Sequence, residues 1–183
     1  MNALKTIVLL LMPVLLSGCG QSSAVREYEV PREDEKVLTS DLLRDQFKAV
    51  PFRWKVPSTW LTAENDQFSA VAWTAGPSGA TARITVSGLA GTAGVEPQFT
   101  RWRRDQLKLP EIDPAEMMKT VETVALKGLT GQWIEIKGES ETIMGMIAAY
   151  KDKLWVFKFR SANATANDQR AAFRGFCESL TAE

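Results

Sequence analysis

The chain has 183 residues, 45% of them hydrophobic, with 22 basic and 22 acidic side chains and no histidine. The missing histidines exclude Ser-His-Asp and Cys-His catalysis, histidine metal sites and histidine-based pH switching. Balanced charge offers none of the basic surface that nucleic-acid binding requires, and two cysteines allow at most one intramolecular disulfide.

At the N-terminus Lys5 supplies a positive charge, and Thr6 to Leu16 form an apolar stretch interrupted only by Pro13. That is about half the roughly 20 residues a membrane-spanning helix needs, so the layout is that of a cleaved secretory signal. The tetrapeptide Leu16-Ser17-Gly18-Cys19 follows directly. It resembles the lipobox of bacterial lipoproteins. The resemblance implies cleavage before Cys19, a diacylglyceryl group on its sulfur and acylation of the new amino group. Two or three acyl chains anchor stably, because each buried methylene contributes about 0.8 kcal/mol. Gly20 stands where inner-membrane members of that family carry Asp, which implies an outer-membrane destination facing the periplasm. Residues 1–18 are then a signal peptide, 19–45 a lipidated N-terminus and flexible tether, and 46–183 a single globular domain. Loss of the first 18 residues removes one charge, Lys5, leaving a net charge of about −1 and Cys177 as the only free thiol.

From Gly20 to about Ser40 charged residues alternate without a helical stripe, the composition of a tether. A short helix over Leu38 to Phe47 is an alternative for its end. Phe52, Trp54 and Val56 then alternate with Arg53 and Lys55, which predicts a strand stopped by Pro57. Two further strands are expected over Phe68–Thr74 and Ala82–Ser87, joined through the turn Gly76-Pro77-Ser78-Gly79. After a loop over Gly88 to Gly94, Val95, Phe99 and Trp102 recur at helical spacing, with Pro110 as the stop and Pro114 opening a short turn. Strands follow over Val121–Leu126, Gln132–Lys137 and Thr142–Tyr150. A tight Lys151-Asp152 turn leads into Leu154–Arg160. There Trp155, Phe157 and Phe159 point one way and Leu154 and Val156 the other, as in a central strand covered on both faces. A terminal helix starts at a capping box of Thr165 and Asp168 and carries Gln169, Phe173, Phe176, Cys177 and Leu180 on one stripe.

The candidate sites each have a plain structural reading. Cys177 lies among apolar residues with no cation on its stripe, so it reads as a small buried hydrophobe. Arg101-Trp102-Arg103-Arg104 places arginines around an aromatic, the composition of interface hot spots, yet Trp102 shares the apolar stripe and the arginines fan over the solvated side. Trp60, after Pro57, is the tryptophan expected to be most exposed. Trp60, Arg103 and Arg104 are therefore the candidate partner contacts, and Cys19 the lipidation site. Glu135, Glu139 and Glu141 cluster near a turn, where paired carboxylates could do acid–base work. The glycines fit no phosphate-binding spacing, no Asp-x-Asp-x-Asp-Gly pattern appears, and Asn163-Ala164-Thr165 reads as a helix cap. No catalytic, cofactor-binding or metal-binding residue is assigned, and neither nucleotide nor nucleic acid is expected as a partner.

Phe52, Trp54, Val56, Pro57 and Trp60 at the opening, and Trp155 to Phe159 followed by Phe173, Phe176 and Leu180 at the close, resemble the PsbP-like fold. That fold is shared by the photosystem extrinsic protein and by bacterial DcrB-like lipoproteins. The resemblance implies an α+β domain with an antiparallel sheet of about six strands flanked by helices, an α/β/α sandwich. It also implies accessory or binding roles. The sequence reading is thus a lipid-anchored, non-catalytic envelope module docking onto a membrane-associated partner protein. A histidine-independent envelope hydrolase and a carrier of a small apolar ligand are the alternatives.

Overall fold

Two helical layers enclose one antiparallel sheet, and the sheet's central strand explains both layers. The computed structural model describes residues 50–78 and 80–183. Cys19, the signal and the tether therefore lie outside the described residues. The elements run β1 (Phe52–Arg53), β2 (Leu61–Thr62), β3 (Val71–Ala75), β4 (Ala82–Ala90), α1 (Val95–Thr100, continued by a π-helical stretch Arg101–Gln106), α2 (Pro114–Lys119), β5 (Glu122–Leu126), β6 (Leu129–Lys137), β7 (Glu141–Tyr150), β8 (Lys153–Ala162), α3 (Asn163–Glu178) and β9 (Thr181–Ala182). Seven strands form one sheet in the order β2-β3-β4-β8-β7-β6-β5, while β1 pairs only with β9.

β8 sits fourth of seven, and its alternation sorts the core into two. Trp155, Phe157 and Phe159 face α3 together with Trp73, Ile84, Val86, Trp133, Met144 and Met146. Phe173, Phe176 and Cys177 of α3 close that layer. Leu154 and Val156 point the other way, to Phe99 and Trp102 of α1 and Met117 of α2, with Ile134, Ile136, Ile143 and Ile147. The fold is the expected α+β sandwich, with seven strands in its main sheet instead of about six.

Local chemistry sets the element ends. Asp113 caps α2 by accepting from the Ala115 amide at 2.8 Å, and Pro114 occupies the first helical position. α3 starts at Asn163, two residues before the expected capping box. The Asn163 side chain donates to the Gly138 and Glu139 carbonyls and accepts from the Thr142 hydroxyl. It stitches the helix start to the β6–β7 turn and leaves no gap for a cap at Thr165. Thr165 is buried and donates instead to the Ala80 carbonyl at 2.8 Å.

The opening strand is shorter than its alternation predicts and lies outside the main sheet. After Arg53 the chain turns away, the Lys55 amide donates to Ser179 Oγ at 2.8 Å, and Val56 is left 38% exposed. The expected strand start at Phe68 is a loop, because the Asp66 carboxylate accepts from the Phe68 and Ser69 amides.

Candidate functional site

The residues expected to contact a partner separate widely in character. Trp60 is 6% exposed, so the expectation that it is the exposed tryptophan is corrected. Its ring lies among Trp73, Phe173 and Phe176, with centroids 6.2, 6.3 and 5.2 Å away, and its Nε1 donates to Gln169 Oε1 at 3.3 Å. The Pro57–Trp60 turn folds the indole under α3, and its large apolar area goes into the core.

Arg103 and Arg104 lie at a cleft of about 250 Å³ between α1 and α2, with Phe99, Ile112 and Met117 among its other walls. Both guanidinium groups have hydrogen-bond partners within the domain. Arg103 Nε donates to the Pro110 carbonyl at 2.5 Å. Arg104 pairs with Asp105 at 2.7 Å and Glu111 at 2.9 Å, and these partners hold its pKa above the usual guanidinium value. The arginines brace the α1–α2 connection.

The carboxylates do not converge. Glu135 meets Arg170 of α3 at 2.6 Å on the aromatic face, while Glu141 meets Arg160 at 2.5 Å on the opposite one. Glu139 is exposed. A sheet separates the first two groups, so they cannot share a substrate in the manner of acid–base pairs. Cys177 is fully buried, and desolvation raises its thiol pKa well above the ordinary value. It is therefore an apolar packing residue.

The geometry that does gather polar groups lies beside Lys158, away from the residues expected to contact a partner. α1 and α2 cover the β6–β7–β8 part of the second face and leave the β4 row Arg83, Thr85, Ser87 and Leu89 partly open. A groove of about 350 Å³ runs there. Phe68 and Asp66 stand on one side, Arg101 and Gln106 of α1 on the other, and Thr85, Ser87, Leu89, Val156 and Lys158 form its floor. In register Thr85 stands opposite Lys158, and Ser87 opposite Val156.

Lys158 is held by neutral groups. Its Nζ donates to Gln106 Oε1 at 2.5 Å and lies 5.9 Å from the centre of the Trp102 ring. Among the described residues no carboxylate reaches ion-pair distance of it. Burial first, then the charges of Arg160 and Arg101, lower its pKa to about 8. The π-helical stretch of α1 helps place Gln106. The Leu107 amide bonds to the Trp102 carbonyl five residues back, at 3.0 Å, so the helix is widened at this edge. Such insertions occur often at functional positions. A signal for Lys158 was present in the sequence: it is the one charge inside Leu154 to Phe159, on the Val156 side of a strand otherwise apolar on both faces.

The fold is similar to solved structures at low sequence identity. The solution structure of the cyanobacterial PsbP protein CyanoP, from Synechocystis, is 10% identical. The match covers 73% of this chain and 87% of that one with a TM-score of 0.50. A crystal structure from Bacteroides thetaiotaomicron is 14% identical over 73% of this chain with a TM-score of 0.41, and this chain spans 45% of that protein. LpqN, involved in cell envelope biogenesis of Mycobacterium tuberculosis, is 12% identical, with 78% and 95% coverage and a TM-score of 0.42. No protein-family model matches the chain, and no curated protein matches it in sequence. The likeness to CyanoP supports the PsbP-like fold expected from the aromatic strands. Among the described residues no helix is long and apolar enough to cross a membrane.

Proposed function

We propose that this chain is a lipid-anchored protein of the bacterial cell envelope, held through Cys19 on the outer membrane and facing the periplasm. Its domain acts there as a non-catalytic accessory or binding module docked onto a membrane-associated protein. The observation that carries the reading is Leu16-Ser17-Gly18-Cys19 directly behind a short apolar segment and a lysine. A tether rich in charge then joins it to a well-packed domain. Two features of the domain support a binding role over acid–base hydrolysis. Glu135 and Glu141 are spent on arginines of opposite faces, and the remaining thiol is sealed in the core.

Labelling in cells with a palmitate analogue, followed by membrane fractionation under high salt, tests the anchor. Wild-type protein is expected to take up label and stay with outer membranes, and Cys19→Ser to do neither. Membrane retention of unlabelled Cys19→Ser would overturn the anchor. Crosslinking in intact cells tests the docking, for which a reproducible protein neighbour is expected. Recovery of bulk lipid alone counts against it.

A further inference from the structure

The groove beside Lys158 has a cationic end and an apolar end. At the cationic end, among the described residues, the Lys158 ammonium has only Gln106 and the Trp102 ring as polar partners, and Arg101 has no ion-pair partner. The nearby carboxylates are occupied. Glu141 is bound to Arg160 at 2.5 Å, and Asp66 accepts two loop amides and faces Arg83 at 3.7 Å. The hydroxyls of Thr85 and Ser87 have no hydrogen-bond partner among the described residues, although both line the groove. At the other end stand Phe68, 71% exposed, with Leu89 and Val156.

A half-buried ammonium with no carboxylate at ion-pair distance is costly, and burial outweighs the more distant pull of Asp66 and Glu141, so its pKa is lowered. An anion delivered into the groove relieves it. Polar donors and apolar side chains lining one concavity have the composition of a small-molecule site, and about 350 Å³ lies within the usual range for one.

We infer that this groove binds a small amphipathic carboxylate, with its head on Lys158 and Arg101 and its apolar body against Phe68, Leu89 and Val156. Thr85 and Ser87 donate to the carboxylate oxygens from the floor. Nothing in the site requires the lipid anchor or a docked protein.

Octanoate, titrated into the chain lacking residues 1–18 with Cys19 replaced by Ser, is the probe. Calorimetry and amide chemical shifts are the readouts. Octanoate is expected to bind and to move the Thr85, Ser87 and Lys158 amides, octyltrimethylammonium to leave them unmoved, and octanol to bind at least tenfold more weakly. Octyl phosphate binding as tightly as octanoate would assign the groove to anions in general and overturn the carboxylate. Lys158→Gln and the solvent-exposed Arg101→Gln should each weaken octanoate at least tenfold, about 1.4 kcal/mol. Acylation of Lys158 by an amine reagent should slow when octanoate is present, a readout that needs no variant. Octanoate binding that ignores both substitutions, or shifts confined to another surface, overturns the proposal. So does binding of an acidic peptide where octanoate fails.

Discussion

The two faces of the sheet are covered by different chemistry. Under the 16-residue α3 the packing is aromatic: Trp54, Trp60, Trp73, Phe157, Phe173 and Phe176 touch one another at centroid distances of 5.2 to 6.3 Å. Under α1 and α2 it is mostly aliphatic, the helices are short, and the β4 row stays partly open. One long helix with bulky rings seals its face. Two short helices on isoleucines seal only the part they reach, and the groove is what remains. The aromatic packing is concentrated on the first face and the open groove lies on the second.

Truncation should reveal that asymmetry most strongly. Phe157→Ala removes a fully buried ring that touches Phe52, Trp54 and Phe176, and should cost about 3–5 kcal/mol. Thr85→Ala, on the open row, should stay within about 0.5 kcal/mol of wild type. Denaturant midpoints at constant slope measure both, and equal losses would break the comparison.

Next in size is Gly145→Ala. A methyl at Gly145 collides with the Trp102 indole, which lies directly on the β7 backbone. The expected loss is about 1–3 kcal/mol, partly restored when Trp102→Phe is added. A double-mutant cycle checks this. Purely additive losses would mean that the ring does not need the glycine.

The groove carries a pH signature. The Lys158 pKa falls from 10.5 to about 8 on folding, so between those values the unfolded chain binds more protons than the folded one. Stability from this group therefore rises with pH across that window. Cys177 works in the opposite sense above its ordinary value of 9.0, because its thiol pKa is raised in the fold. Lys158→Met should stabilise the protein at pH 7 and erase the rise, leaving the Cys177 decline. Parallel stability curves for wild type and Lys158→Met between pH 7 and 10.5 would contradict the burial described here.

The smallest expected effect lies in the β7–β8 hairpin, where Lys151 is held at φ +54°. Lys151→Gly removes the clash of a β-carbon in that conformation and should add about 0.5 kcal/mol, offset in part by glycine's greater unfolded-state freedom. Thermal unfolding can resolve it.

What was legible in the chain follows from which interactions decide each element. β8 could be read because alternation on both faces is a local pattern, and the buried state of Trp155, Val156, Phe157 and Phe159 matches it. The amphipathic stripe of Val95, Phe99 and Trp102 was legible for the same reason, with Phe99 and Trp102 buried. The burial of Trp60 is not legible locally because it depends on α3, more than 100 residues away, folding over the turn. The break after Arg53 depends likewise on Ser179 and β9. The groove was invisible because it is defined by what α1 fails to cover, and the reach of a helix across a sheet is not written in periodicity.

The pairing of β1 with β9 brings the two ends of the described domain together. Phe52 lies opposite Ala182, Arg53 meets Glu183 at 2.5 Å, and the Tyr150 hydroxyl donates to the Glu183 carbonyl. Any pull transmitted through residue 50 is therefore borne first by two residue pairs, an exposed ion pair and the ring of Phe52. Through that ring, which packs edge-on against Trp155 and Phe157, the load passes into the seven-strand sheet. Mechanically the seam is a clasp that ties the first described strand to the last and both to the aromatic core.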